Sequence, residues 1–233
     1  MKYIKLFAST FFIIFILSFS SCTDILMGDE GKLDEEIHLS YQTITELELP
    51  FENEWYVVWG GRSAIQNQHF YSRNERYAID VLQIVNGVSF TGDGTQNEDY
   101  YCFGKRLNAP GTGKIIAMEN NIEDNIPGAL NRDQPGGNYI IIDHLNGEVS
   151  VMAHFKKNSI IVSIGDTVEK GQEVGKAGNS GNSTEPHLHY HLQTTSESPS
   201  DGIGFPIQFT NYYENDVFIG RGEPVRGQKI RRN

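Results

Sequence analysis

The chain has 233 residues, 38% of them hydrophobic and 21% charged, enough for one domain with a substantial core of its own. Its formal charge of −11, from 30 acidic and 19 basic side chains, excludes the broad basic face that nucleic-acid binding requires. Only Cys22 and Cys102 are present, which excludes a disulfide-stapled scaffold.

At the N-terminus Lys2 and Lys5 precede an apolar run from Leu6 to Phe19, and Ser20 and Ser21 lead to Cys22. A basic start, a short apolar run and small residues make a signal segment over residues 1–21, too short for an ordinary membrane span. Phe19-Ser-Ser-Cys22 resembles a bacterial lipobox, with phenylalanine where leucine is usual. The resemblance implies that Cys22 becomes a lipidated N-terminus, so the protein is expected outside the cytoplasm, anchored by lipid to a membrane of the cell envelope. Each buried acyl methylene contributes roughly 0.8 kcal/mol to such an anchor. Removing residues 1–21 takes away two lysines and no acid, moving the charge from −11 to −13. Cys102 then stands alone, and stability must come from packing.

Residues 22–46 carry Asp29, Glu30, Asp34, Glu35 and Glu36 with little apolar pattern and are expected to be an acidic tether, with His38 solvated within it. From residue 47 to 233 the pattern is that of a folded domain. Short Val-, Ile- and Tyr-rich runs at 55–59, 77–84, 113–118, 139–143, 149–154 and 160–164 alternate with Gly, Asn and Pro clusters. Periodicity of 3.6 residues is nearly absent, so the expected class is all-β, mainly antiparallel, with few short helices. Asn146-Gly147 between two runs predicts a hairpin turn. The stretches 86–108 and 120–137 read as long loops of the kind that border clefts. Residues 165–178 resemble the turns of lipoyl and biotinyl carrier domains, but no hairpin presents a lysine for modification. The tail 221–233 is basic and reads as solvated.

The chemistry concentrates in Asn179-Ser-Gly-Asn-Ser-Thr-Glu-Pro-His-Leu-His-Tyr190. A strand sends residues i and i+2 to one face, so His187 and His189 project together, and two such imidazoles are half of a zinc site. Catalytic zinc takes three ligands from His, Asp or Glu and keeps one open position. Upstream, His69 sits in a loop-like segment, and Asp80 ends the strand-like Arg76-Tyr-Ala-Ile-Asp80. A carboxylate in an apolar strand costs several kcal/mol unless it is paired or metal-bound.

His69 with Asp80, Val151-Met-Ala-His154 and the Gly178–Tyr190 segment together resemble the lysostaphin/LytM-type zinc endopeptidases over a motif core of about residues 50–193. The resemblance implies a lysostaphin-type fold of barrel-sandwich character and one Zn²⁺ per chain, held by His69, Asp80 and His189. His154 and His187 are then the catalytic pair that orients water, takes its proton and stabilises the tetrahedral intermediate. It implies hydrolysis of peptide bonds in bacterial peptidoglycan. An alternative within the same resemblance is a non-catalytic scaffold that regulates other cell-wall hydrolases. His144 precedes the hairpin and is assigned a structural role. His191 shares a face with His187 and His189 by parity, where a supporting contact is expected rather than ligation. Tyr71, Arg73 and Tyr77 are candidates to line a substrate groove.

Overall fold

A computed structural model describes residues 40–194 and 196–233. The signal segment, Cys22, His38 and the acidic stretch of the tether lie outside the described residues. The strands, in chain order, are β1 (Trp55–Trp59), β2 (Ile79–Leu82), β3 (Arg106–Asn108), β4 (Gly113–Glu119), β5 (Asn138–Asp143), β6 (Glu148–Phe155), β7 (Thr167–Val168), β8 (Glu173–Lys176), β9 (Leu188–Thr194), β10 (Gly204–Phe205), β11 (Phe209–Glu214), β12 (Val217–Gly222) and β13 (Lys229–Arg232). One sheet runs β12-β11-β13-β1-β2-β9-β6-β5-β4-β7, with β10 beside β9, while β3 and β8 form a separate pair. Among the described residues every pairing of these strands is antiparallel. Among the described residues, the helical elements are short 3₁₀ turns such as Gln68–Tyr71. The fold is all-β, as expected; its large sheet is open, ending at β12 and β7, rather than closed as a barrel.

Alternation in three neighbouring strands decides which residues meet. Along β9, Leu188, Tyr190 and Leu192 are completely buried in the main core with Ile140, Ile142 and Met152. At roughly 1.5–3 kcal/mol per large apolar side chain, that face pins the strand in one register. A slip of one residue would exchange the two faces. His189, His191 and Gln193 are thereby sent to the opposite face. The register then sets Asp80 of β2 against His189 on one side and Ala153 of β6 against it on the other. Asp80, His189 and Ala153 form one row across the sheet.

The hairpin at residues 144–147 forms where Asn146-Gly147 predicts it, with φ of 91° at Gly147. Other expectations are corrected. Residues 160–164 are not a strand: Ile160 and Val162 are buried and Ile161 and Ile164 exposed, yet only Ile161 N–H reaches a neighbouring strand, at Val174 O. The tail 221–233 is exposed at Arg221, Arg226 and Lys229, as expected, but it also forms β13, which lies between β11 and β1 with Ile230 fully buried. Of its basic residues, Arg232 pairs with Glu48 and Glu52 and Arg231 lies over Tyr213. The end of the expected tether belongs to the fold. Tyr41 stacks on Phe205 at 4.1 Å between ring centroids. The buried Glu148 carboxylate takes the Tyr41 hydroxyl at 2.6 Å and the Ile44 and Thr45 N–H groups at 2.7 Å each. A buried carboxylate needs such donors, and residues 41–45 supply them.

Candidate active site

On the side of the sheet that β9 gives to its histidines lies a cavity of about 640 Å³, lined by His69, Asp80, His154, His187, His189 and His191 among others. Asp80 is its centre. Its Oδ2 lies 2.9 Å from His69 Nε2, its Oδ1 2.8 Å from His189 Nδ1 and 3.8 Å from His187 Nε2. Gln68 donates to Oδ2 at 3.1 Å.

His69 arrives on the 3₁₀ turn Gln68–Tyr71. Asn67, completely buried, caps that turn by accepting His69 N–H at 3.0 Å. Its amide donates to the carbonyls of Gly61, Arg76 and Ala78 at 3.2, 3.2 and 2.9 Å. One side chain thus ties the His69 turn to the start of β2. Sequence reading missed Asn67; its signal was the position two residues before the histidine, where an Asx side chain caps readily.

His154 should point away from the cavity by strand parity, on the same face as Met152. It does not, because its backbone takes φ of 64° and the β5–β6 register shifts there: Asn138 faces Phe155 while Tyr139 faces Ala153. This bulge leaves His154 unpaired and turns it to the cavity side. Its Nδ1 lies 2.7 Å from the Ser180 carbonyl, so Nδ1 carries the proton and Nε2 keeps a lone pair. His187 is anchored in the same way, with Nδ1 2.9 Å from the Glu185 carbonyl. The two rings lie 4.8 Å apart between centroids. Both therefore turn an unprotonated nitrogen to the cavity. Burial, followed by the charges of His187 and His189, holds His154 well below the ordinary imidazole range.

Burial alone would raise the Asp80 carboxyl, but the charge of His69 and hydrogen bonds from His189 and His69 hold it well below its usual range. Burial opposes the charged form of His69 too. The charge and hydrogen bond of Asp80, with a contribution from Glu75 at 3.6 Å, nevertheless raise it to about 10. Glu75, despite burial, is held at about 2 by His69 and the charges of His189 and His191.

The donor atoms of His69, Asp80 and His189 lie within 4.8 Å of one another. Two imidazole nitrogens face the two oxygens of one carboxylate. Neutral imidazoles there would set nitrogen lone pairs against anionic oxygens, an arrangement that calls for a proton or a cation. This set of two nitrogens and one carboxylate fits zinc. Glu75, His189 and His191 also bring donor atoms within 4.8 Å of one another. In this second set, however, both His191 nitrogens have hydrogen-bond partners, His189 Nε2 at 3.0 Å and Gln193 Oε1 at 3.2 Å. Burial and the charge of His189 push His191 down to about 3.

Of the other candidates, His144 stands apart from the cavity. It bonds the Thr112 carbonyl at 2.9 Å and Ser150 Oγ at 2.7 Å, and Ser150 in turn bonds the Tyr190 hydroxyl. Tyr71, Arg73 and Tyr77 do not line the cavity: Tyr71 is 84% exposed and Tyr77 is buried in the main core. Instead the loop at 120–137 contributes Leu130, Arg132 and Pro135, and the turn at 182–185 contributes Asn182, Ser183, Thr184 and Glu185.

Comparison with known proteins gives the same direction. Residues 99–201 match the model of Peptidase family M23. That span includes His154, His187 and His189; His69 and Asp80 precede it. A 64-residue stretch is 42% identical to "Peptidoglycan DD-endopeptidase ShyA" of Vibrio cholerae, covering 27% of this chain and 14% of that protein. An uncharacterized metalloprotease of Buchnera aphidicola is 46% identical over 56 residues, covering 24% and 14%. The chain thus matches about a seventh of the length of these curated relatives. Among solved structures, the catalytic domain of lysostaphin from Staphylococcus simulans aligns over 66% of this chain and 88% of that one, with 21% identity and a TM-score of 0.38. Over residues 99–201, fewer than half of its 233, this chain is thus similar to Peptidase family M23.

Proposed function

We propose that the protein is a zinc metalloendopeptidase that hydrolyses peptide bonds of bacterial peptidoglycan. The observation that carries this reading is the division of histidines around Asp80. His69 and His189 turn nitrogens onto its carboxylate, while His154 and His187 are tied by Nδ1 to backbone carbonyls with Nε2 left unprotonated. His69, Asp80 and His189 would hold one Zn²⁺, which supplies a fixed positive charge to polarise a carbonyl and acidify water. His154 and His187 then receive a proton at Nε2 and return it to the leaving amine. Holding their Nδ1 protons on backbone carbonyls keeps both in the accepting tautomer. The small Ala153 beside His189 leaves the row open for a peptide.

Peptidoglycan as the substrate rests on the relatives named peptidoglycan DD-endopeptidases and on the lipobox, which would place the chain in the cell envelope. Lipidation of Cys22 belongs to the same proposal, and metabolic labelling with a fatty acid, lost in Cys22→Ser, checks it. For the enzyme, purified protein should hold about one zinc per chain and release peptides from purified peptidoglycan. His189→Ala and Asp80→Ala should lose zinc and activity together, whereas His154→Ala should lose activity and keep most of its zinc. Metal-free protein that leaves peptidoglycan intact and binds another cell-wall hydrolase would favour the scaffold reading instead.

A further inference from the structure

His191 and Gln193 are completely buried on the cavity face of β9, yet neither is used in the proposed chemistry. They are the continuation of His189: strand parity brings residues 189, 191 and 193 into one line, and their polar atoms connect in sequence. His189 Nε2 lies 3.0 Å from His191 Nδ1, His191 Nε2 3.2 Å from Gln193 Oε1, and Gln193 Nε2 donates to the Ser198 carbonyl at 3.0 Å.

The direction of this chain follows from its far end. A backbone carbonyl can only accept, so the Gln193 nitrogen must face Ser198 and its oxygen must face His191. Flipping the amide would set two oxygens against each other 3.0 Å apart in a site closed to water. Gln193 Oε1 also only accepts, so His191 Nε2 carries a proton. With Nδ1 of His189 given to a metal, its remaining proton lies at Nε2, 3.0 Å from His191 Nδ1, which therefore accepts. His189 keeps its Nε2 proton for His191, so a metal that replaces the proton between Nδ1 and Asp80 meets the lone pair at Nδ1, the nitrogen 2.8 Å from Asp80 Oδ1. The opposite tautomer would place N–H where a metal must sit.

We propose that His191 and Gln193 are positioning residues that impose this tautomer on His189, relaying the polarity of the Ser198 carbonyl across β9 to the metal-facing nitrogen. The inference rests on the reading of His189 as a zinc ligand. It adds the source of the ligand's orientation, since partners of this kind commonly change metal affinity by roughly 10–100-fold.

The test uses the full chain, with zinc affinity measured by competition against a chromogenic chelator and imidazole tautomers read by ¹⁵N NMR. His191→Phe and Gln193→Met should each weaken zinc binding about 10–100-fold. His191→Gln keeps an acceptor facing His189 and a donor facing Gln193 and should stay within about threefold of the parent, which separates polarity from mere packing. The parent should show His191 protonated at Nε2 whether or not metal is bound. Equal zinc affinity in His191→Phe and the parent, or a His191 proton at Nδ1, would overturn the proposal. A parent chain that binds no zinc would sink the reading of the metal site, while the His191 tautomer would still decide whether the relay exists.

Discussion

Replacing Asn67 by alanine isolates the contribution of a residue that touches neither substrate nor metal. The side chain is completely buried, accepts one backbone N–H and donates to three carbonyls with its two hydrogens. Taking about three effective hydrogen bonds at a net of roughly 1 kcal/mol each, the loss is about 3 kcal/mol. For a domain of this size each kcal/mol corresponds to about 2–4 °C in Tm, so Asn67→Ala should melt roughly 6–12 °C lower. The same change frees the turn carrying His69, so zinc affinity should fall about tenfold or more. Asn67→Asp sharpens the expectation: it retains the oxygen that caps His69 but sets a carboxylate against three carbonyls, and should be less stable than Asn67→Ala. Differential scanning calorimetry and chelator competition on the same preparations provide both numbers. A Tm within about 2 °C of the parent, or Asn67→Asp outlasting Asn67→Ala, would refute the assigned role.

Gly178→Ala should destabilise the fold by about 3 kcal/mol, the upper part of the usual range for overpacking. An added Cβ would lie 2.2 Å from Lys156 N and 2.3 Å from Lys156 Cα, backbone atoms that cannot swing aside. Because Gly178 N–H is bonded to the His154 carbonyl, peptidoglycan digestion should fall even in the fraction that remains folded. His69 predicts how stability depends on pH without metal. Its pKa is raised to about 10, so its contribution is complete below the ordinary histidine value of about 6.5 and lost as pH rises through about 10. Urea midpoints of chelator-treated protein should fall across that window, and the fall should vanish in His69→Gln. Cys102 is buried, donates to the Pro186 carbonyl at 3.0 Å and has its thiol pushed up to about 12, chiefly by burial. In a Cys22→Ser background it should resist a thiol reagent at pH 8 and react once the protein is unfolded; rapid labelling of native protein would contradict that burial.

The Leu-His-Tyr-His-Leu-Gln alternation of β9 was legible as sequence, because a period of two is local and the apolar positions can face only a core. With the turn signals it determined the all-β class, placed His187, His189 and His191 on one face, and marked Asp80 as a carboxylate out of place in an apolar strand. The spread of histidines over 120 residues acquired meaning only through family resemblance. Tertiary structure decided what is not local. The bulge that turns His154 toward the cavity depends on how β5 meets β6, and parity within β6 points the other way. Asn67 acts through carbonyls brought to it by the fold. The basic tail becomes a strand because β1 and β11 present open edges on either side of it. The roles of His189 and His191, identical in type and two residues apart, differ because Asp80 lies beside one and the Gln193–Ser198 pair orients the other. A hydrogen bond has a direction, and that direction is set by partners the strand alone does not contain.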